Sequence, residues 1–156
     1  MKRLNVCLAV GLIMVSVILL SGVVHAKDST TTYAVTITNL TRGQIISPPV
    51  VISHNRNYHL FTAGQPAASG IAELAEDADT VPLTDHLETL SSVFHYAVAG
   101  SVIAPGSSVT VEINTKGGFR FISTAAMLVT TNDAFMAAKR LYAVPWKSVV
   151  ANANAY

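Results

Sequence analysis

The sequence predicts a mainly β protein: an antiparallel β-sandwich with one or two short helices in an insertion, behind an N-terminal signal helix. Three observations carry that expectation. Segments alternating apolar and polar residues recur along the chain, the clearest being "SVTVEINT" at Ser108–Thr115. Turn-forming clusters such as "TRG", "APGSS" and "TKGG" separate them. Helical spacing is confined to one stretch, between Ser69 and Leu90. Strands in series with helix restricted to an insertion point to a sandwich.

The chain begins with Lys2 and Arg3, an apolar run from Leu4 to Val24, and small residues at Val24 and Ala26. That order predicts a secretory signal peptide over residues 1–26, cleaved after Ala26. The rival is an uncleaved anchor, since the run nearly spans a bilayer. Membrane contact is expected only through this segment, if it is uncleaved. The protein is therefore expected to be exported to the periplasm, the cell surface or the medium.

Residues 27–156 hold 8 of the 10 basic residues and all 9 acidic ones, a formal charge of −1. Such a balance has no basic stripe for nucleic acid and no polybasic patch for a membrane. The sole cysteine, Cys7, lies within the apolar run. Disulfides, a thiol nucleophile and thiolate metal sites are thus excluded from the exported part, which must rely on its apolar core.

Residues 27–32, "KDSTTT", read as a polar spacer, and the domain is expected over residues 33–156. Tyr33, Val35 and Ile37 alternate with Ala34, Thr36 and Thr38 as a half-buried strand. Pro48-Pro49 forces extended backbone and predicts a short edge strand at Val50–Ile52. Ile71, Leu74, Ala75 and Ala78 fall at helical spacing behind Ser69, the expected N-cap. Pro82–Leu90, with Leu83, Leu87 and Leu90 aligned, predicts a second short helix.

Val93–Ile103 is apolar and returns to strand. Val109, Val111 and Ile113 then point inward, and "TKGG" predicts a hairpin returning through Phe119 and Phe121 on the same inner face. Ala125–Val129 reads as a fully buried run.

Candidate chemistry is sparse. Asn132-Asp133 ends the buried run; these residues start turns by bonding their own backbone, and the same oxygens suit a cation. Calcium takes six to eight oxygens, so one aspartate needs help. His54 and His59 would suit zinc or copper with a carboxylate, supported by Asp85, His86 or His95, but no His-Glu-x-x-His is present. A polar loop is the plainer reading of that pair. No nucleophile elbow or phosphate loop occurs, and "ELAEDAD" reads as a solvated helix face. Asn39-Leu40-Thr41 has the form of a glycosylation sequon. No enzyme is expected.

Three stretches together resemble the spondin N-terminal domain family in its bacterial exported form: "YAVTITNLTRGQIISPPVVISH", "ELAEDAD" and "GGFRFISTAAMLVTTNDAFMA". The resemblance covers Tyr33 to Tyr156. It implies an antiparallel sandwich of eight-stranded type, an adhesion or binding role, and a calcium ion at the loop end that Asp133 faces, helped by Asn132. Family members continue beyond the equivalent of "NANAY" with an acidic segment and a further strand, so the resemblance implies a C-terminal truncation and an unpaired sheet edge. The expectation is an exported binding or adhesion module for an extracellular or envelope protein or glycan. The alternatives are a metal-dependent enzyme using His54 and His59, or a truncated remnant without independent function.

Overall fold

The computed structural model describes residues 29–156, so the predicted signal helix and the first two spacer residues lie outside the described residues. Pro48-Pro49 ends just where strand β2 begins, and this sets the architecture. β2 (Val50–His54) is buried at every residue, because it lies between β3 (Val93–Val98) and β5 (Phe121–Met127). The edge position expected for Val50–Ile52 is therefore corrected to a central one. Both prolines precede the first ladder pair, Val50 with Val98 and Ala125, and cost the ladder nothing.

A five-stranded antiparallel sheet runs β3-β2-β5-β6-β7, with β6 at Phe135–Tyr142 and β7 at Asn154–Ala155. A second, two-stranded sheet pairs β1 (Thr30–Thr38) with β4 (Ser108–Lys116) over their full lengths. β1 starts at Thr30, so Thr30–Thr32 of the predicted spacer are strand. The fold is thus the expected mainly β antiparallel sandwich, carrying two short helices.

The two sheets meet through Val51, Val111, Ile113, Ile122 and Ala143, with Tyr33, Val35 and Ile37 half-buried against them. On the outward face of β1 and β4, hydroxyls pair across the strands: Thr36 Oγ1 with Thr110 Oγ1 at 2.9 Å and Thr38 Oγ1 with Ser108 Oγ at 2.8 Å.

The opposite face of the larger sheet is covered by α1 (Ile71–Asp77) and α2 (Val81–Glu88). Leu74, Leu83 and Leu87 pack there on Val50 and Ile52 and are essentially excluded from water. Each such burial contributes about 1.5–3 kcal/mol. α1 is capped by the backbone of Gly70 at φ 80°, not by the Ser69 side chain expected to cap it. A Cβ at Gly70 would lie 2.3 Å from Leu83 Cα, so only glycine allows α2 to approach this closely.

The turn at Gly117-Gly118 does not form the expected hairpin. A single bridge joins Lys116 and Phe119, after which the chain crosses to the other sheet. β4 and β5 are therefore neighbours in sequence but not in hydrogen bonding. Phe121 accordingly leaves the face of Val109, Val111 and Ile113 and stacks beside His54, with ring centroids 6.0 Å apart.

Candidate functional site

β5 runs from Phe121 at one end of the sandwich to Met127 at the other, and the two ends carry different chemistry. At the Met127 end, the turn into β6 is closed by Thr131. Its hydroxyl donates to Leu128 O at 2.7 Å and accepts from Ala134 N–H at 3.2 Å. Leu128 N–H also donates to Ala134 O at 2.8 Å. Asn132 and Asp133 sit exposed on this turn, and the nearest loop joins it through Thr130 Oγ1, which donates to Gln44 Oε1. No group of three or more His, Cys, Asp or Glu converges anywhere among the described residues. Asp133 thus contributes one solvated carboxylate; a cation there would complete its shell with amide, hydroxyl or carbonyl oxygens, water or a partner's oxygens.

Asn39, first residue of the sequon, is fully buried. Its amide donates to Gln44 O at 2.7 Å and Ile103 O at 2.8 Å, while Oδ1 accepts from Thr41 N–H and Oγ1–H. Those four bonds make Asn39 the clasp of the loops at this end, with its amide nitrogen sealed from solvent.

The Phe121 end is richer. His54 closes β2 and is completely buried. Its Nδ1–H donates to Asn55 O at 2.8 Å, which leaves Nε2 to accept from Ser123 Oγ–H, also at 2.8 Å. Burial holds this imidazole below its usual value of 6.5, and the Arg140 guanidinium and His59 push the same way; the bond to Asn55 O opposes them.

A β-bulge explains why a serine stands here. The β5–β6 register shifts between Ile122 and Thr124, and Arg140 takes φ 57° opposite the shift. Its N–H leaves the ladder and donates to Ser123 Oγ at 3.0 Å. Ser123 so satisfies a displaced backbone group and an imidazole at once.

Arg140 then reaches outward. Its guanidinium lies 5.1 Å from the Phe121 ring, donates to Arg56 O at 3.1 Å, and approaches His59 Nε2 at 3.4 Å. His54 and His59 consequently present no open pair of lone pairs. One nitrogen of His54 donates, the other is taken by Ser123, and a guanidinium stands at His59.

Beside this network a cavity of about 400 Å³ opens to solvent. Arg56, Arg120, Asn55 and Asn57 supply its polar groups, and Phe121 and Tyr142 its aromatic surface. The two rings meet edge to face with centroids 5.5 Å apart. Gly117 and Gly118 form the rim where the chain changes sheets.

No family model matches the sequence, and no curated protein matches it. The spondin likeness rests on the quoted motifs alone.

Sequence reasoning singled out Asp133, Asn132, His54 and His59. The fold brings the two histidines into one neighbourhood around Arg140 and keeps Asp133 and Asn132 at the far end of β5. It also gathers Arg56, Arg120 and Arg140, which sequence reasoning missed. Arg56 and Arg120 stand alone in their own segments, and Arg140 is paired only with Lys139, so no local cluster signals the three together. The visible signal for the Ser123 network was a Ser-Thr pair inside an otherwise apolar buried run.

Proposed function

We propose that the chain is an exported, spondin-like binding module acting at or outside the cell envelope, without a catalytic role. One observation carries this reading: the polar groups at the Phe121 end divide into a sealed set and an open set. Ser123 and His54 resemble a nucleophile and its base in distance, yet both are buried beneath Phe121 and Tyr58, with their bonding capacity spent on the bulge and on Asn55 O. Substrate has no path to that oxygen. Arg56, Arg120, Tyr142 and the two asparagines instead form an open concave surface, the form a recognition site takes. The occupied nitrogens of His54 and the cation beside His59 weigh against the metal-enzyme alternative.

The calcium implied by the resemblance belongs to this reading as a second, loop-end feature at Asp133, with Asn132 beside it. It would order the turn of β5 into β6, away from the open surface.

The test is retention of purified protein on isolated cell-envelope fractions. Wild type and Glu76→Ala, altered on α1, are expected to be retained. Combined Arg56→Ala, Arg120→Ala and Tyr142→Ala should abolish retention while leaving the thermal transition in place. Equal retention of the triple variant would overturn the assignment of this end as the binding surface.

A further inference from the structure

Charge is segregated across the molecule. Of the eight carboxylates among residues 29–156, six lie on or between α1 and α2: Glu73, Glu76, Asp77, Asp79, Asp85 and Glu88. Of the seven basic residues in the same range, Arg56, Arg120 and Arg140 gather where β2 ends, β4 turns into β5 and β6 passes its bulge. No carboxylate lines the cavity there. Guanidinium groups held together without a counter-charge repel one another, and an oxyanion relieves that repulsion. Arginine also offers paired N–H donors matched to a carboxylate or an ester anion.

The remaining lining narrows the ligand. Phe121 is half-buried and Tyr142 is 48% exposed, so together they offer a ring face beside the charges. Asn57 N–H donates to Asn55 Oδ1 at 2.9 Å, which fixes that amide and leaves its nitrogen as a donor. Amides read hydroxyl groups, aromatic faces pack against the C–H face of a sugar ring, and arginines take its anion. A nucleic acid would need a basic track along its backbone, whereas the basic residues here form one compact cluster on a near-neutral chain.

We propose that the cavity between Arg56, Arg120, Phe121 and Tyr142 binds an acidic saccharide, the anion on the two arginines and the ring on the aromatics. This deepens the binding-module reading and rests on it. Arg140 acts from behind: it adds positive potential and, through its bonds to Arg56 O and His59, holds the loop that carries Arg56.

The experiment is calorimetric titration of the purified protein with oligogalacturonate, with neutral dextran of matched length as the comparison. Binding of oligogalacturonate alone is expected, weakening at least tenfold between 50 and 300 mM salt, on the order expected for a few charge contacts. Arg56→Ala with Arg120→Ala should reduce affinity at least tenfold with an unchanged thermal transition. Tyr142→Ala should reduce it several-fold and Lys147→Ala not at all. Equal affinity for dextran, or undiminished binding by the double arginine variant, overturns the proposal. So does tighter binding of a single-stranded oligonucleotide than of the saccharide. Retention on envelope fractions without any binding of the acidic saccharide overturns this proposal and leaves the binding module standing. Loss of both removes both.

Discussion

Ser123 and Thr124 are adjacent buried hydroxyls with opposite energetic roles, and replacing each should move stability in opposite directions. Ser123 Oγ donates to His54 Nε2 and accepts from Arg140 N–H. Ser123→Ala leaves both groups buried without a partner. Each orphaned group costs about 1–3 kcal/mol, so the variant should lose about 2–6 kcal/mol. Thr124 Oγ1 is buried and has no partner at all. Thr124→Val keeps the shape and removes the orphan, which should stabilise by about 1 kcal/mol. For a domain of this size each kcal/mol moves Tm by about 3–5 °C. Differential scanning calorimetry of wild type and the two variants at pH 7.5 therefore reads a drop of roughly 6–30 °C against a rise of roughly 3–5 °C. A neutral Ser123→Ala, or a Thr124→Val that destabilises by more than 1 kcal/mol, would refute the hydrogen-bond accounting around the bulge.

Three further outcomes follow from the same physical picture. Because His54 binds a proton less readily folded than unfolded, its contribution is complete above about pH 6.5 and is lost as pH falls below it. Tm should drop between pH 7 and pH 5, and a His54→Gln variant should show a shallower pH slope over that window; an equal slope assigns the acid sensitivity elsewhere. Gly70→Ala combines a positive φ with a contact of 2.3 Å to Leu83, and should cost at least about 3 kcal/mol by urea titration, against less than about 1 kcal/mol for Gly43→Ala, where the φ is not positive and the added Cβ meets nothing within 4 Å. For calcium at Asp133, a millimolar-class site would add about 1.4 kcal/mol of stability at 10 mM calcium, visible as a Tm rise reversed by chelator and absent in Asp133→Asn. A calcium-blind Tm in the wild type removes the ion from the reading.

The period-two pattern was enough to find β1 and β4, because each has one face in the core and one in water. It misjudged β2, where Pro-Pro suggested an edge. A strand buried on both sides carries no alternation, and only the partners on each side reveal its position. β6 went unseen altogether. "FMAAKRLY" is rich in residues that favour helix, and its extended form comes from pairing with β5 rather than from local preference. The candidate site divides in the same way. Asp133 was legible as a turn residue because turn chemistry is local. The arginine cluster was not, since Arg140 N–H and Ser123 meet only through a bulge, and Arg56 and Arg120 meet only where two segments end side by side.

The failure of β4 and β5 to pair has a kinetic consequence. β1 finds its only partner strand among the described residues in β4, with Thr30 opposite Lys116 and Thr38 opposite Ser108. A strand made early in synthesis therefore has no mate until residues 108–116 have been made, while β2, β3 and the helices between them lie close in sequence. Closing so long a loop before any reward slows the final step, and places this domain among the slower small folders, at milliseconds to seconds. Until then the nine residues of β1, none of them charged, have neither a mate nor a gatekeeper. The first strand therefore cannot lock the sandwich until residues 108–116, roughly 70 positions beyond its own end, have followed.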